Sequence, residues 1–349
     1  IEIKRLKYLQ LNRSNFFGRL ANYFSFTLAV ALRFGYLRNF KSVIVYSNPP
    51  VLPLITTIAN RIFNTKIIFV SYDVYPEIAY LTNSISEKSI ISKIMILINK
   101  GVFKNVNKVV ALSHEMKMYL LTHRPTLSEQ QIVVIPNWYE DKGICSSLYT
   151  SNNKLFNSVS KSKKLIVSYF GNMGICQDLD TIVNSIRQFK DDYEVKFIFA
   201  GHGKKMDKLK TLVEEEKLDN VKIFDFLHGQ DFQDALNISD CFLVSLAEGL
   251  TGLCVPSKTY SYMMAGKPVI AIMGEESDIV RDLRENNAGY AMQVGETSKL
   301  VNAIKELRDD NSKRTMMGLN CRNLFLRKYK KEHCTQKYIE LMTRILEAK

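Results

Sequence analysis

A single tryptophan, five histidines and six cysteines in 349 residues leave little material for a metal cage or a disulfide framework. Cys145, Cys176, Cys241, Cys254, Cys321 and Cys334 are scattered, with no Cys-x-x-Cys pair and no Cys/His cluster at zinc spacing. They are expected to be reduced thiols of a cytosolic protein, and no metal site is expected. Long apolar runs are also missing. Arg33 interrupts FSFTLAVALRFGY and the Asn48-Pro49-Pro50 turn interrupts the next stretch, so nothing reaches the roughly 18 residues of a membrane span. No signal peptide is visible. The chain begins with Ile, from which a missing natural N-terminal piece is expected. Acidic residues are scarce in the first part. Residues 1–140 hold 17 Lys/Arg against 7 Asp/Glu, so +10 of the net charge of +13 lies there. A basic half favours an anionic partner, whether nucleic acid, an anionic membrane surface or a phosphorylated lipid; the plainer alternative is a basic soluble surface. The segment SIISKIMILINKGVFKNVNK (89–108) suits docking at a membrane interface, and equally suits a buried helix with a basic outer face.

What is present is the composition of a folded protein, 46% hydrophobic and 24% charged, on a chain long enough for two domains of about 150 residues. From Ser42 onward, β-branched runs alternate with helical periods. The strands are predicted at 42–47, 66–70, 108–112 and 131–135, with helices near 51–63, 86–104 and 113–123; Ser113 is the expected N-cap of the last, with Glu115 in its first turn. A Ser-, Asn- and Lys-rich stretch at 137–164 breaks the pattern. Strands then recur at 165–170, 195–200, 221–226, 241–246, 268–273 and 289–294, and helices at 297–309, 311–328 and 331–347 close the chain. Such alternation specifies parallel strands with helices on both faces. The expected division is a domain at 1–140, a linker at 141–163, a second domain at 164–330 and a C-terminal helix at 331–349.

Ligands of doubly wound sheets bind beyond the carboxyl ends of the strands, so the loops there are the candidate sites. After LIVSYF comes GNMGICQDLD (171–180), where glycines let backbone amides approach an anion at a helix start. It is neither a G-x-G-x-x-G nor a P-loop. After VKFIFA comes GHGKK (201–205), bringing His202 and Lys204, or simply a tight turn opening a helix. After CFLVSL comes AEGLTGLCVPSK (247–258). Pro256 suits a first helical turn, and the free amides there, the Ser257 hydroxyl and the Lys258 ammonium are expected to converge on a diphosphate. The alternative is a solvated surface lysine. In KIIFVSYDVYPE (66–77), Asp73 follows a strand directly and Glu77 starts a helix behind Pro76. Asp73 there binds or deprotonates a hydroxyl, or else caps the helix while Glu77 complements its dipole.

The motifs YFGNMG, FIFAGHG, SDCFLVSL and VPSKTYSYMMAGKPVIA, with SNPP (47–50), YDVYPE (72–77) and IPNWYE (135–140), resemble retaining glycosyltransferases of the GT-B fold, over essentially the whole chain. The likeness is to the bacterial group of capsule, O-antigen and other surface-polysaccharide assembly, typified by N-acetyl-L-fucosamine transferases. The resemblance implies an α/β architecture of two Rossmann-like doubly wound domains facing across a cleft, with C-terminal helices packing back toward the N-terminal domain. It implies a nucleoside-diphosphate-sugar donor, UDP-linked, on the C-terminal domain, and an acceptor on the other. Carried over by residue, Gly171, Asn172 and Gly174 line the diphosphate; Leu227 and His228 lie near the base; Glu248 and the Gly252, Leu253 and Cys254 backbone approach the donor sugar; Asp73 faces the acceptor hydroxyl. His202, Ser257 and Lys258 complete the expected donor site, with Asp73, Lys258 and Glu248 as the catalytic set. No cofactor, metal or nucleic acid is expected. The expected partners are the donor, an undecaprenyl-diphosphate-linked sugar and the membrane surface, placing the protein in the cytoplasm at the inner face of the cell membrane.

The sequence departs from the family in two places. Many relatives carry two glutamates seven residues apart, the second binding ribose; here that position is Ser261. An Arg and a Lys of the first glycine loop are replaced by Asn172 and Gln177. Lys258 is expected to supply the charge that this loop lacks. A nucleotide-sugar 2-epimerase on the same fold and a basic nucleic-acid-binding module are the alternatives; the second leaves the three glycine turns unexplained.

Overall fold

The structure is a computed structural model that describes residues 2–12, 16–143, 153 and 165–347. It forms two compact units, one of Ile1–Pro136, Gly252–Val255 and Thr335–Lys349, the other of Asn137–Thr251 and Pro256–Cys334. The divisions thus fall at Pro136 and Cys334, not at 140 and 330, and a four-residue piece of the second half joins the first unit. Cys145 and nearly all of the expected linker lie outside the described residues.

In the first unit, α1 (Phe16–Ala31) precedes β1 (Ser42–Tyr46), α2 (Leu52–Phe63), β2 (Lys66–Ser71), α3 (Glu77–Leu81), α4 (Ile90–Asn105), β3 (Lys108–Ala111), α5 (His114–His123) and β4 (Ile132–Val134). The strands form one parallel sheet in the order β1-β2-β3-β4. Its central strands are nearly continuous apolar runs because helices cover both faces of such sheets; Ile67, Ile68, Val70, Val109 and Val110 are fully buried. Local chemistry sets the helix starts. The Ser89 hydroxyl accepts from the Ser92 amide (3.1 Å) to open α4, and the Ser113 hydroxyl accepts from the Met116 amide (3.3 Å) to open α5. Asp73 caps no helix, since α3 begins behind Pro76.

The second unit runs β5 (Leu165–Phe170), α6 (Asp180–Arg187), β6 (Val195–Ala200), α7 (Lys204–Glu215), β7 (Val221–Phe224), α8 (Gly229–Ile238), β8 (Cys241–Ser245), α9 (Lys258–Met264), β9 (Val269–Ile272), α10 (Asp278–Glu285), β10 (Gly289–Met292), α11 (Thr297–Asp309) and α12 (Asn311–Leu324). A π-helical turn at Phe325–Tyr329 and α13 (Lys331–Glu347) follow, with the residues from Thr335 onward belonging to the first unit. The sheet order is β10-β9-β8-β5-β6-β7, all parallel. From β5 the chain winds outward through β6 and β7, then returns to the other side of β5 with β8, β9 and β10. The winding therefore reverses between β5 and β8, the switch point at which open α/β sheets bind ligands. Residues 171–174 and 246–257 leave the two strands that flank it.

Candidate donor site and acceptor-side residues

At the switch point the glycines answer to backbone packing. Gly201 has φ +145°, and a Cβ there would lie 2.1 Å from the Gly171 carbonyl oxygen. Gly203, at φ +121°, would place a Cβ 2.6 Å from the Met173 carbonyl oxygen. The two loops are in direct contact, and only glycine combines that approach with a positive φ. Their hydrogen bonds correct the expectation of free amides. The Gly171 N–H donates to Ala200 O (2.8 Å), Met173 N–H to His202 O (2.8 Å) and Gly174 N–H to the Gln177 side chain (2.7 Å). Asn172, which is exposed, keeps a free amide, and the Gln177 amide group occupies the place beside Gly174 that an anion would take.

Lys258 lies across this loop. A Cβ on Gly171 would sit 3.6 Å from its Cε, its Nζ is 3.9 Å from the centre of the Tyr169 ring, and it donates to Asn172 O (2.9 Å) and the Tyr169 hydroxyl. Tyr262, one helical turn on, holds it there: its hydroxyl accepts from the Phe170 N–H (2.7 Å) and donates to Phe170 O (2.9 Å), and its ring stacks on Phe242 at 4.2 Å. Positions i and i+4 share a helix face, so anchoring Tyr262 to the end of β5 and the start of β8 aims Lys258 over Gly171. Among the described residues no carboxylate faces the lysine nitrogen, and its burial lowers the pKa to about 7. The residue as a whole is half-exposed; it is the ammonium end that sits out of water.

The start of α9 contributes less than expected. Thr259 N–H donates to Pro256 O (3.2 Å) and Tyr260 N–H to Ser257 O (3.3 Å), leaving the Ser257 and Lys258 amides, and the Ser257 side chain is exposed without capping the helix. Ser261 is buried and donates to Lys258 O (2.8 Å), so it offers no ribose contact. Glu248 is exposed on the loop after β8. Beyond β6 and β7, His202, Phe226 and His228 form an exposed aromatic row, with ring centres 5.4 and 4.6 Å apart, and Leu227 is half-buried between Phe226 and His228 in the chain. Two residues were missed by sequence reasoning. Phe226 reads in the sequence only as the end of a strand. Lys205 donates from Nζ to Gln177 O and from its amide to Met173 O (3.0 Å), which puts the cation of GHGKK on the first glycine loop; Lys204, its exposed neighbour, drew the attention.

Gly252, Leu253 and Cys254 are not part of this cluster. They belong to the first unit, where Leu253 O accepts from Val74 N–H (2.8 Å), Cys254 pairs with Asp73 in an antiparallel bridge and the Leu253 side chain is buried. The Leu253 carbonyl and the Cys254 backbone are thus engaged with Val74 and Asp73. Asp73 itself is half-buried. The Ser47 hydroxyl accepts from the Tyr72 and Asp73 amides (3.1 and 3.2 Å), and no side chain or amide among the described residues donates to the Asp73 carboxylate, whose pKa burial raises. Glu77 is spent structurally: Arg124 binds it at 2.7 Å and also holds Tyr75 O at 3.0 Å.

The model of the family "Glycosyl transferases group 1" matches residues 151–324. "Probable glycosyltransferase WbjE" of Pseudomonas aeruginosa is 24% identical over 75% of this chain, which spans 64% of that protein's length. Among solved structures, HepE of Anabaena in complex with UDP superposes with a TM-score of 0.73 at 17% identity, covering 94% of this chain and 83% of HepE. A sucrose-phosphate synthase of Thermosynechococcus elongatus gives 0.74 at 15% identity, covering 97% and 81%. The switch-point loops, the two parallel sheets and the family match agree: the chain belongs to the group 1 glycosyltransferases of GT-B fold.

Proposed function

We propose that the protein moves a sugar from a UDP-linked donor to a lipid-linked or polysaccharide-precursor acceptor, with retention at the anomeric carbon and with no metal in the reaction. The observation that carries this reading is the Lys258 ammonium laid across Gly171 at the switch point with no anion of its own. A diphosphate beside it would restore the charge that burial disfavours. HepE, solved with UDP and with UDP-glucose, supports uridine in the donor, and WbjE together with the E. coli colanic acid biosynthesis protein WcaI supports a polysaccharide precursor as acceptor.

As the bond between the anomeric carbon and the diphosphate oxygen breaks, negative charge develops on the leaving group. Lys258, Lys205 and the Asn172 amide are fixed donors for that charge, and such preorganised electrostatics are commonly the largest catalytic term. The acceptor hydroxyl attacks the face the diphosphate leaves, and its proton passes to a phosphate oxygen. Asp73 orients the acceptor hydroxyl, and Glu248 the donor sugar. The His202–Phe226–His228 row receives the base.

The membrane partner belongs to the same proposal. On α4 the exposed Ile90, Ile94 and Leu97 share one helix face with the exposed Lys93, Lys100 and Lys104. On α1, Phe17, Phe24 and Leu28 are exposed as well. Apolar side chains flanked by lysines suit an anionic inner leaflet, and no described helix is long and apolar enough to cross it.

A thermal-shift panel of UDP, GDP, ADP and their sugars tests the donor. UDP at 100 times its Kd should add about 2.7 kcal/mol of stability. A panel in which no nucleotide shifts the transition would remove the donor site.

A further inference from the structure

The first unit holds two cavities that the donor site does not use. One, of about 310 Å³, is lined by Tyr46, Asn48, Tyr72 and Asp73. The other, of about 290 Å³, is lined by Tyr8, Arg19, Tyr23, Phe26 and again Asn48, with Asn22 and Pro49. Asn48 lines both, so they lie side by side at the turn after β1. Each stands at the lower limit of about 300 Å³ for small-molecule sites, room for about one sugar ring apiece.

The walls are built. Asn22 is buried and its side chain is bonded both ways to the Leu11 backbone (2.8 and 2.9 Å), while Leu9 N–H donates to the Ser25 hydroxyl (3.0 Å). These bonds strap residues 9–11 onto α1 and set the Tyr8 ring edge-on to Phe26 at 5.4 Å. On the other side Tyr46 and Tyr72 meet edge to face at 5.3 Å. Against those occupied wall groups stand unoccupied ones. Among the described residues the Arg19 guanidinium has no hydrogen bond or ion pair, and neither do the Asn48 amide group, the Tyr46 and Tyr72 hydroxyls or the Asp73 carboxylate. A largely aromatic concavity with a few unsatisfied polar groups is the composition of a ligand site. Exposed tyrosine faces suit the C–H face of a sugar, and a planar guanidinium suits a carboxylate or a phosphate, which it can grip with two parallel hydrogen bonds.

We propose that the two neighbouring cavities are the subsite for an anionic glycan: one sugar rests on Tyr46 and Tyr72 with a hydroxyl at Asp73, and a carboxylate or phosphate on the adjoining group is held by Arg19. That this glycan is the acceptor of the transfer rests on the proposed function; its binding does not.

The test is calorimetric titration of the full chain, with no donor present, against three probes: glucuronosyl-β-1,4-glucose, neutral cellobiose, and glucose linked to farnesyl diphosphate. At least one anionic probe should bind about tenfold or more tightly than cellobiose, as a hydrogen-bonded ion is worth. Arg19→Gln should erase that preference, Arg19→Lys should keep part of it, and Tyr46→Ala should weaken all three probes. Preference for the uronic acid assigns the anion to an acidic sugar, and preference for the diphosphate assigns it to the lipid carrier. Equal binding of all three probes, a preference that survives Arg19→Gln, or no binding of any probe overturns the proposal. Thermal melts check that the variants fold. A UDP-induced shift in the same protein reports on the donor site separately, so absence of that shift removes the transferase reading without touching the Arg19 result.

Discussion

In the second unit a methyl group added at Gly201 would lie 2.1 Å from the Gly171 carbonyl oxygen; in the first, one added at Gly101 would meet nothing within 4 Å. The units as wholes differ in the apolar side chains they expose. Among the described residues, Ile175, Tyr193, Phe226, Met316 and Leu319 are the large apolar groups that the second unit leaves exposed, and they are scattered. The first unit exposes them in sets on α1, α2 and α4, on α4 beside lysines. Both units alternate strand and helix, so the difference lies in what each surface meets. One unit is packed to hold a fixed loop geometry at its switch point. The other leaves apolar and basic area available for something larger.

The largest effect is expected where the packing is tightest. Gly201→Ala puts a Cβ into a backbone carbonyl at a φ that L side chains rarely adopt, and should cost about 3 kcal/mol or more, read as a fall in the urea midpoint. A midpoint within error of wild type would show that the two loops are not held in contact. Next comes Lys258→Ala, which should lower kcat/KM by roughly tenfold to a thousandfold, as removal of a charge-stabilising donor does. Unchanged turnover in a folded variant would take Lys258 out of the mechanism.

These two positions also mark what the sequence discloses. Gly171, Gly201 and Lys258 stand in chain segments whose strand–loop–helix order is plain from β-branched runs, and all ten strands among the described residues fall where those runs lie. The helix α1 was not foreseen: its apolar residues are spread around the helix, leaving Phe17, Phe24 and Leu28 outside, so no one-sided stripe announces it. The use of the loop amides was hidden for a different reason. Whether Met173 N–H is free depends on His202 O, 29 residues away, a non-local pairing that spacing does not encode. Gly252–Val255 illustrates the same limit, since its chain neighbours are in the second unit while its hydrogen bond runs to Val74 in the first.

On the first unit, Leu97→Glu replaces an exposed apolar group by a charge. Burying a leucine is worth about 1.5–3 kcal/mol, so partitioning onto acidic liposomes at low salt should fall at least about tenfold, while stability stays within about 0.5 kcal/mol. Equal liposome binding by the two proteins would end the membrane proposal for α4. The second unit answers to pH instead. The Lys258 pKa of about 7 means that the charged form, the one proposed to bind the diphosphate, is depleted as pH rises above that value. UDP-glucose, whose diphosphate does not titrate in this range, should therefore bind about tenfold more weakly at pH 8 than at pH 6, with proton uptake on binding visible by calorimetry in buffers of different ionisation enthalpy. Affinity that is flat or rises with pH would mean that the lysine is already charged in the free protein.

The smallest effect belongs to Gly101, and it sharpens the contrast from the other side. This residue lies inside α4, within the face that carries Leu97 and Lys104, and its φ is not in the positive range. Nothing occupies the space a Cβ would fill, so Gly101→Ala removes the entropy cost of a helical glycine without adding a clash. It should stabilise the protein by about 0.5–1 kcal/mol, measured by urea unfolding. Liposome binding should be unchanged or slightly stronger, because a methyl group joins the apolar face. The opposite signs expected at Gly201 and Gly101 follow from one cause, the presence or absence of a backbone atom where the new carbon must go. A destabilised Gly101→Ala protein would mean that α4 is covered by protein at that point, and its apolar face would then be core rather than surface.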